Sequence, residues 1–305
     1  MARSWMGGSG LRTAGLRTAG LTATLGLAGL AGCGAWAPTL AKETRLLDAE
    51  YSDAMALDVQ TRNGGISVTR SDGETVRITA RLKARSQDRL EATRIVTDHD
   101  PDGTLLVRVQ WPDGERQRRE GCSFEIETPG ADGVRLDSSN GALRIDGLAG
   151  DAVLDTSNGS VTVRDHDGSV HARTSNGSVT LDRVSGDVFA DTSNGGIHAI
   201  GVSGAVNADT SNGNVVIELS EDAEGPIRVG TSNGGVRLVL TPAFRGVLVL
   251  DTSNGGISYD TSASVRRVSA SRNHARMEIG QGGPSSVVST SNGSIRVEFV
   301  GGEEE

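Results

Sequence analysis

The chain has 305 residues, 42 of them glycine and only nine aromatic, with seven prolines and a formal net charge of −9. Glycine follows no three-residue period, so this is not collagen, and recurrent β-branched residues argue against global disorder. So few large side chains suit a wide aromatic enzyme core poorly, and an acidic chain with no basic face excludes nucleic acid as a partner.

From the N-terminus, Arg3, Arg12 and Arg17 precede a weakly apolar stretch from Leu21 to Ala31 without acidic residues. This is the layout of a secretory signal peptide, too short and glycine-rich for a permanent membrane span. It ends in Leu30-Ala31-Gly32-Cys33, which resembles the lipobox of bacterial lipoproteins. The resemblance implies cleavage before Cys33, acylation of its sulfur and attachment to the membrane, each buried methylene contributing about 0.8 kcal/mol to the anchor. An ordinary signal peptide with a chance cysteine is the plainer alternative. Loss of the three arginines takes the mature chain to −12. Gly34 stands where an aspartate would retain a lipoprotein in the inner membrane, so the resemblance places the protein in the cell envelope: the outer membrane of a diderm host, otherwise the outer face of the cell membrane.

The segment 46–137 reads as a β-rich cap. It holds an isolated Thr61-Arg62-Asn63-Gly64, a strand over Thr75–Ala80, a short helix from Ser86 through Leu90 to Val96, and a hairpin around Gly103–Val109. Cys122 lies in the alternating strand Gly121-Cys122-Ser123-Phe124-Glu125-Ile126 and reads as a small core residue. A single remaining thiol can form neither an intramolecular disulfide nor a cysteine metal cluster.

From Ser138 to Val300 the chain is repetitive. Thr-Ser-Asn-Gly or a close variant recurs at Asn140, Asn158, Asn176, Asn194, Asn212, Asn233, Asn254 and Asn292. The steps are 18 residues up to Asn212, 21 up to Asn254, and 19 twice through the degenerate Asn273. After each Asn-Gly, apolar residues alternate (Leu143/Ile145, Val161/Val163, Val179/Leu181, Ile197/Ala199). A second turn at Gly150, Gly168, Gly186 and Gly204 then leads into a second alternating strand. Two architectures fit, a hairpin meander and a β-solenoid, and the constant period favours the solenoid. The expected fold is therefore all-β: a β-solenoid of 18–21-residue Asn-Gly repeats over 138–300. It follows a signal peptide (1–32), an acylated cysteine and linker (33–45) and the mixed N-terminal cap, and it ends in an acidic tail (301–305). Extending the alternation puts the asparagines on the inward face as a structural ladder, with each following glycine supplying a positive φ at the corner. Nine rungs at the usual strand spacing make a rod of roughly 40 Å.

With Phe124-Glu125-Ile126-Glu127-Thr128-Pro129 leading into Asn-Gly-Gly-Ile and Ser-Asn-Gly-Ser-Val repeats, residues from about Leu46 to Val300 resemble the bacterial putative-adhesin family of β-strand-repeat domains. The family is one of unknown function. The resemblance implies a surface or periplasmic binding module and carries no catalytic residues with it.

Candidate chemistry is sparse. Asp98-His99-Asp100-Pro101-Asp102-Gly103 echoes the start of a calcium loop, but Val109 stands at its twelfth position, so a polar turn is the better reading. Asp165-His166-Asp167-Gly168 falls at the second turn of a repeat. Asp155, Asp191, Asp209 and Asp251 occupy equivalent positions interrupted by Arg173, which suggests either a carbohydrate- or cation-binding strip or a merely soluble surface. The expectation is a lipid-anchored binding or structural module, not an enzyme, with no cofactor and no metal. Its partners would be the membrane through Cys33 and an envelope protein or glycan. A sensor that docks another envelope protein, and a glycan-active β-helix enzyme, are the alternatives.

Overall fold

The computed structural model describes residues 40–52, 55–260 and 265–300; the signal segment, Cys33 and the tail 301–305 lie outside them. The described chain is all-β apart from one helix, Gln87–Ala92, and a 3-10 turn at Pro112–Gly114. Its strands form two long sheets, one of twelve strands and one of thirteen. Successive strands of each repeat alternate between the sheets: Ala149–Thr156 lies in the second, Val161–His166 in the first, Val170–Thr174 in the second again. Each pairs in parallel with its equivalent one repeat away, as Val161↔Val179 and Val170↔Val188 show. This is a β-helix-like repeat.

Period-two alternation sends one side chain in two to the interior. Leu143, Val161, Val179, Ile197, Val215 and Val236 form one continuous buried column of the first sheet, in register from strand to strand. Ala152, Val170, Val188 and Val206 form the facing column of the second. Small and β-branched residues fill the narrow space between the sheets. Of the described aromatic residues, only Trp111, Phe124 and Phe244 are buried, Trp111 and Phe124 in the N-terminal cap.

At the corner after the second-sheet strand, two hydrogen-bonded columns run side by side. Inside, each threonine hydroxyl donates to a glycine carbonyl one coil below: Thr156 to Gly141 (3.0 Å), Thr174 to Gly159 (2.8 Å), Thr192 to Gly177 (2.9 Å) and Thr210 to Gly195 (2.9 Å). Outside, each asparagine amide donates to the side-chain oxygen of the asparagine below. Asn140 donates to Asn63 (2.7 Å), Asn158 to Asn140 (2.8 Å), Asn176 to Asn158 (2.8 Å), Asn194 to Asn176 (2.9 Å), Asn212 to Asn194 (3.1 Å) and Asn233 to Asn212 (3.0 Å). The asparagines are thus exposed, not inward as the alternation predicts. The strand ends at the buried threonine, and the turning backbone throws the next two side chains outward.

The corner glycines have a different reason as well. Gly141, Gly159, Gly177, Gly195 and Gly213 do not adopt positive φ. A Cβ on any of them would lie 1.9–2.0 Å from the carbonyl oxygen of the glycine one coil below. Glycine is required because backbones approach closely here, not because the chain turns left-handed. Left-handed residues occur at the other turn, in the column Gly147 (φ 74°), Asp165 (φ 48°), Arg183 (φ 55°) and Gly201 (φ 67°).

Coil order departs from chain order at both ends. Strands Leu57–Thr61 and Ile66–Arg70 stack directly on the first regular repeat, through Leu57↔Val134 and Ile66↔Leu143. Leu105–Gln110 and Gly121–Thr128 add a further parallel coil beyond them. In that coil Glu120-Gly121-Cys122 replaces Ser-Asn-Gly: Thr61 Oγ1 donates to the Cys122 carbonyl (2.9 Å), and the Asn63 amide to the Glu120 carbonyl (3.0 Å). At the other end, strands Ser285–Thr290 and Ile295–Phe299 enter between two earlier coils. Ser285–Thr290 pairs with both Ile227–Thr231 and Gly246–Thr252. Asn292 accordingly donates to Asn233 (2.9 Å), and Asn254 to Asn292 (3.0 Å). The expected passage through Asn273 does not occur; that residue sits at the antiparallel turn between Val265–Ala270 and His274–Ile279. Ten parallel coils result, about 43 Å from first to last at the usual strand spacing.

Antiparallel strands close the stack. Thr75–Ala84 and Ala41–Glu50 cover one end of the first sheet, Arg94–His99 the same end of the second, and the 265–279 hairpin the far end of the second. The helix is capped by Ser86, whose side chain accepts from the Arg89 N–H, and it stops at Ala92, short of Val96, which already lies in a strand. Beneath it Arg89 grips the fully buried Glu120 side chain at 2.7 and 3.0 Å, and the backbone N–H groups of Arg85 and Gln117 donate to the same carboxylate.

Candidate functional site

Outward-facing residues of the second sheet form two columns, each one side chain per coil. Val153, His171, Phe189 and Asn207 make one; Asp137, Asp155, Arg173, Asp191 and Asp209 make the other. Ser139, Ser157, Ser175 and Ser193 follow two residues further on, at the corner. Because the strands are in register, the aspartates of the sequence repeat meet directly across neighbouring strands: Asp137↔Asp155, and Asp191↔Asp209, with Arg173 between the pairs. Asp251 lies apart, in the inverted end of the stack, where it binds His274 Nδ1 at 2.6 Å.

Between the second column and the corner serines runs a groove of about 380 Å³, lined by Asp137, Asp155, Arg173, Asp191 and the serines. Partial burial, reinforced by Asp155, holds the Asp137 carboxyl above its ordinary pKa; partial burial and then Asp191 do the same at Asp209. Among the described residues, the side chains of Asp137, Asp155, Arg173 and Asp191 make no hydrogen bond or ion pair.

The outer face of the first sheet is different. Many of its charges are paired locally: Arg144 with Asp146 (2.8 Å), Arg183 with Asp165 and Asp182 (2.6 and 2.7 Å), Arg237 with Glu298 (2.6 Å), and Arg81 with Glu125. The second sheet has ion pairs of its own, Arg108 with Asp58 (3.6 Å) and His274 with Asp251, but along the groove the same residue types are left available.

The remaining sequence candidates have structural roles. Asp100 Oδ1 accepts from the N–H groups of Asp102 (3.0 Å) and Thr104 (2.9 Å), an Asx turn that closes the hairpin after His99. His166 points inward, in a core column otherwise aliphatic, and its Nε2 donates to the Gly150 carbonyl at 2.8 Å. Cys122 is buried, and burial pushes its thiol up to about 12, so it stays protonated. Among the described residues no three His, Cys, Asp or Glu side chains converge as a metal site.

Two features escaped the sequence reading. Phe189 is exposed and lies 5.7 Å from the His171 ring, centroid to centroid, beside the groove. The eighteen-residue register would have revealed that pair, since it aligns the two positions on the outer face. The cluster of Arg62, Arg108, Arg116 and Trp111 next to Asp137 has no such signal, because it is assembled from irregular cap segments.

No family model matches the sequence, and no curated protein matches it. Solved structures do resemble the chain. A putative adhesin from Bacteroides fragilis is 14% identical with a TM-score of 0.47, over 85% of this chain and 98% of that one. A putative lipid binding protein from Parabacteroides distasonis is 13% identical with a TM-score of 0.38, over 85% and 96%. A putative cell adhesion protein from Clostridium sporogenes is 9% identical with a TM-score of 0.26, over 86% and 100%.

Proposed function

We propose that this protein is a lipid-anchored binding module of the cell envelope, of the adhesin type, acting by recognition and not by catalysis. The coils together form a β-solenoid, a stiff rod whose N-terminal end is tethered through acylated Cys33. The observation that carries this reading is the outer face of the second sheet, where carboxylates, a guanidinium and hydroxyls stand in register along a groove without partners of their own. Unengaged polar groups held on a rigid lattice are pre-organised for a ligand. The resemblance of Leu30-Ala31-Gly32-Cys33 to a lipobox supports the location.

Replacing Cys33 with Ala tests the anchor. The variant should move from the detergent-extracted membrane fraction to the soluble fraction, and metabolic labelling with a fatty acid should be lost. Unchanged membrane association would remove the anchor from the proposal.

A further inference from the structure

The groove does not end at Asp137. A second concavity of about 620 Å³ shares Asp137 and Ser139 with it and continues over the cap, past Gln60 and Arg108 to Trp111 and Arg116. Together they make one trough across six parallel strands, from Leu105–Gln110 to Val188–Thr192, a length of about 24 Å at the usual strand spacing. Its direction is that of the stack axis.

Three properties of the trough define its occupant. First, charge: Asp137, Asp155, Asp191 and Glu115 are balanced by Arg62, Arg108, Arg116 and Arg173, four of each sign, with Arg108 also facing Asp58 at 3.6 Å, in a chain of net charge −9. A site for a polyanion or a polycation would be biased to one sign. Second, hydrogen-bonding capacity: carboxylates accept, guanidinium groups donate, and Ser157, Ser175 and Ser193 do either, once per coil. Third, the backbone is spoken for. Every strand beneath the trough but the one at its cap end is paired on both sides with a parallel neighbour, and the cap-end strand is closed by the antiparallel strand Arg94–His99; the corner N–H groups of Asn158, Asn176 and Asn194 donate to the serine carbonyls below. A peptide therefore has no sheet edge to extend.

An uncharged chain whose units each offer several hydroxyls, long enough to run along the axis, meets all three. We propose that the trough binds a linear neutral glycan laid along the stack. Phe189, 46% exposed, offers an apolar face to the C–H side of a sugar ring beside Asp191. This deepens the binding-module reading and rests on it.

Full-length protein in detergent, titrated calorimetrically with hexasaccharides of neutral glucans, mannans and chitin, tests it, with hyaluronan and dextran sulfate as charged comparators. Binding to a neutral hexasaccharide is expected, tighter than to its disaccharide and changing less than about three-fold between 50 and 500 mM NaCl, well beyond the Debye screening of surface charge. Arg173→Ala and Asp191→Ala, both at exposed positions, should each weaken it about ten-fold. Glu218→Ala on the opposite sheet should not. A protein that sediments with isolated envelope yet binds no neutral glycan would overturn the glycan while leaving the module standing; failure to bind envelope as well would overturn both. Binding confined to the charged polymers, with a steep salt dependence, would also overturn it.

Discussion

Thr174 and Asn194 illustrate how differently two polar residues of one four-residue motif stabilise the protein. Thr174 is buried; its hydroxyl donates to the carbonyl of the buried Gly159 and accepts from the Gly177 N–H at 3.2 Å. Thr174→Val keeps the shape and strands both partners, so a loss of about 2 kcal/mol is expected. The Asn194 amide donates to Asn176 and, at 3.4 Å, to the Ser175 carbonyl, and its oxygen accepts from Asn212, but in reach of water, which can replace all three. Asn194→Ala should cost about 1 kcal/mol or less, and chemical denaturation of the two variants side by side should rank them in that order. His166 gives a pH signature at the same scale. Burial depresses its pKa below the ordinary 6.5, against the opposing pull of the Gly150 carbonyl and Asp167, and its Nδ1 has no partner. The unfolded chain therefore binds a proton that the folded chain does not, and stability is full above pH 6.5 and falls as pH drops below it. His166→Val, which copies the equivalent Val184, should flatten denaturation midpoints measured between pH 7.5 and 5.5.

At the scale of elements, the cap hinges on a helix of six residues whose single buried side chain, Leu90, cannot hold it alone. Arg89 and Arg45 fasten it: Arg89 clamps Glu120, and Arg45 donates to the carbonyls of Leu90 (2.8 Å) and Thr93 at the helix end. Glu120 is kept ionised, although burial opposes this, by Arg89 and by two backbone N–H donors. Arg89→Ala would leave that carboxylate buried without its counterion, at a cost of about 3–5 kcal/mol. The deficit relative to wild type should shrink as pH falls and the carboxyl takes up a proton, which denaturation across a pH series would show. The individual strands were legible in the sequence because alternation marks the buried side chains of each, from Leu143 and Ile145 to Val236 and Leu238. The coil carried by Glu120-Gly121-Cys122 was not, because it lacks the Asn-Gly signature while keeping its backbone geometry. The groove was half legible: periodicity places Asp155, Arg173 and Asp191 in one row, but says nothing of which face has its charges already paired.

For the whole molecule, stacking order was the part hidden from sequence. Each coil that carries Thr-Ser-Asn-Gly presents equivalent aliphatic columns, a threonine hydroxyl and an asparagine amide, so the repeat fixes register without fixing adjacency. The chain exploits that degeneracy by seating residues 285–299 between the coils of 227–240 and 246–259. The stability of stacked repeats is a sum of neighbour interfaces, and removal of an end coil ordinarily costs one of them. Here removal of residues 281–305 deletes an interior coil and two interfaces, and parts 246–279 from its parallel partner. Limited proteolysis of such a truncation should cleave within 241–280, and thermal unfolding of that segment should separate from the rest of the stack.

A growing polypeptide is delivered from its N-terminus, and most of the coils can close in the order in which they emerge. The coil that joins 227–240 to 246–259 is different, since it follows both of its neighbours in the chain. Until it arrives, the distal end has a gap one strand wide in each sheet, flanked by unpaired N–H and C=O groups. Completion of the stack thereby waits on residues 285–299: a product terminated before them keeps an open edge at that end, while one that includes them seals it.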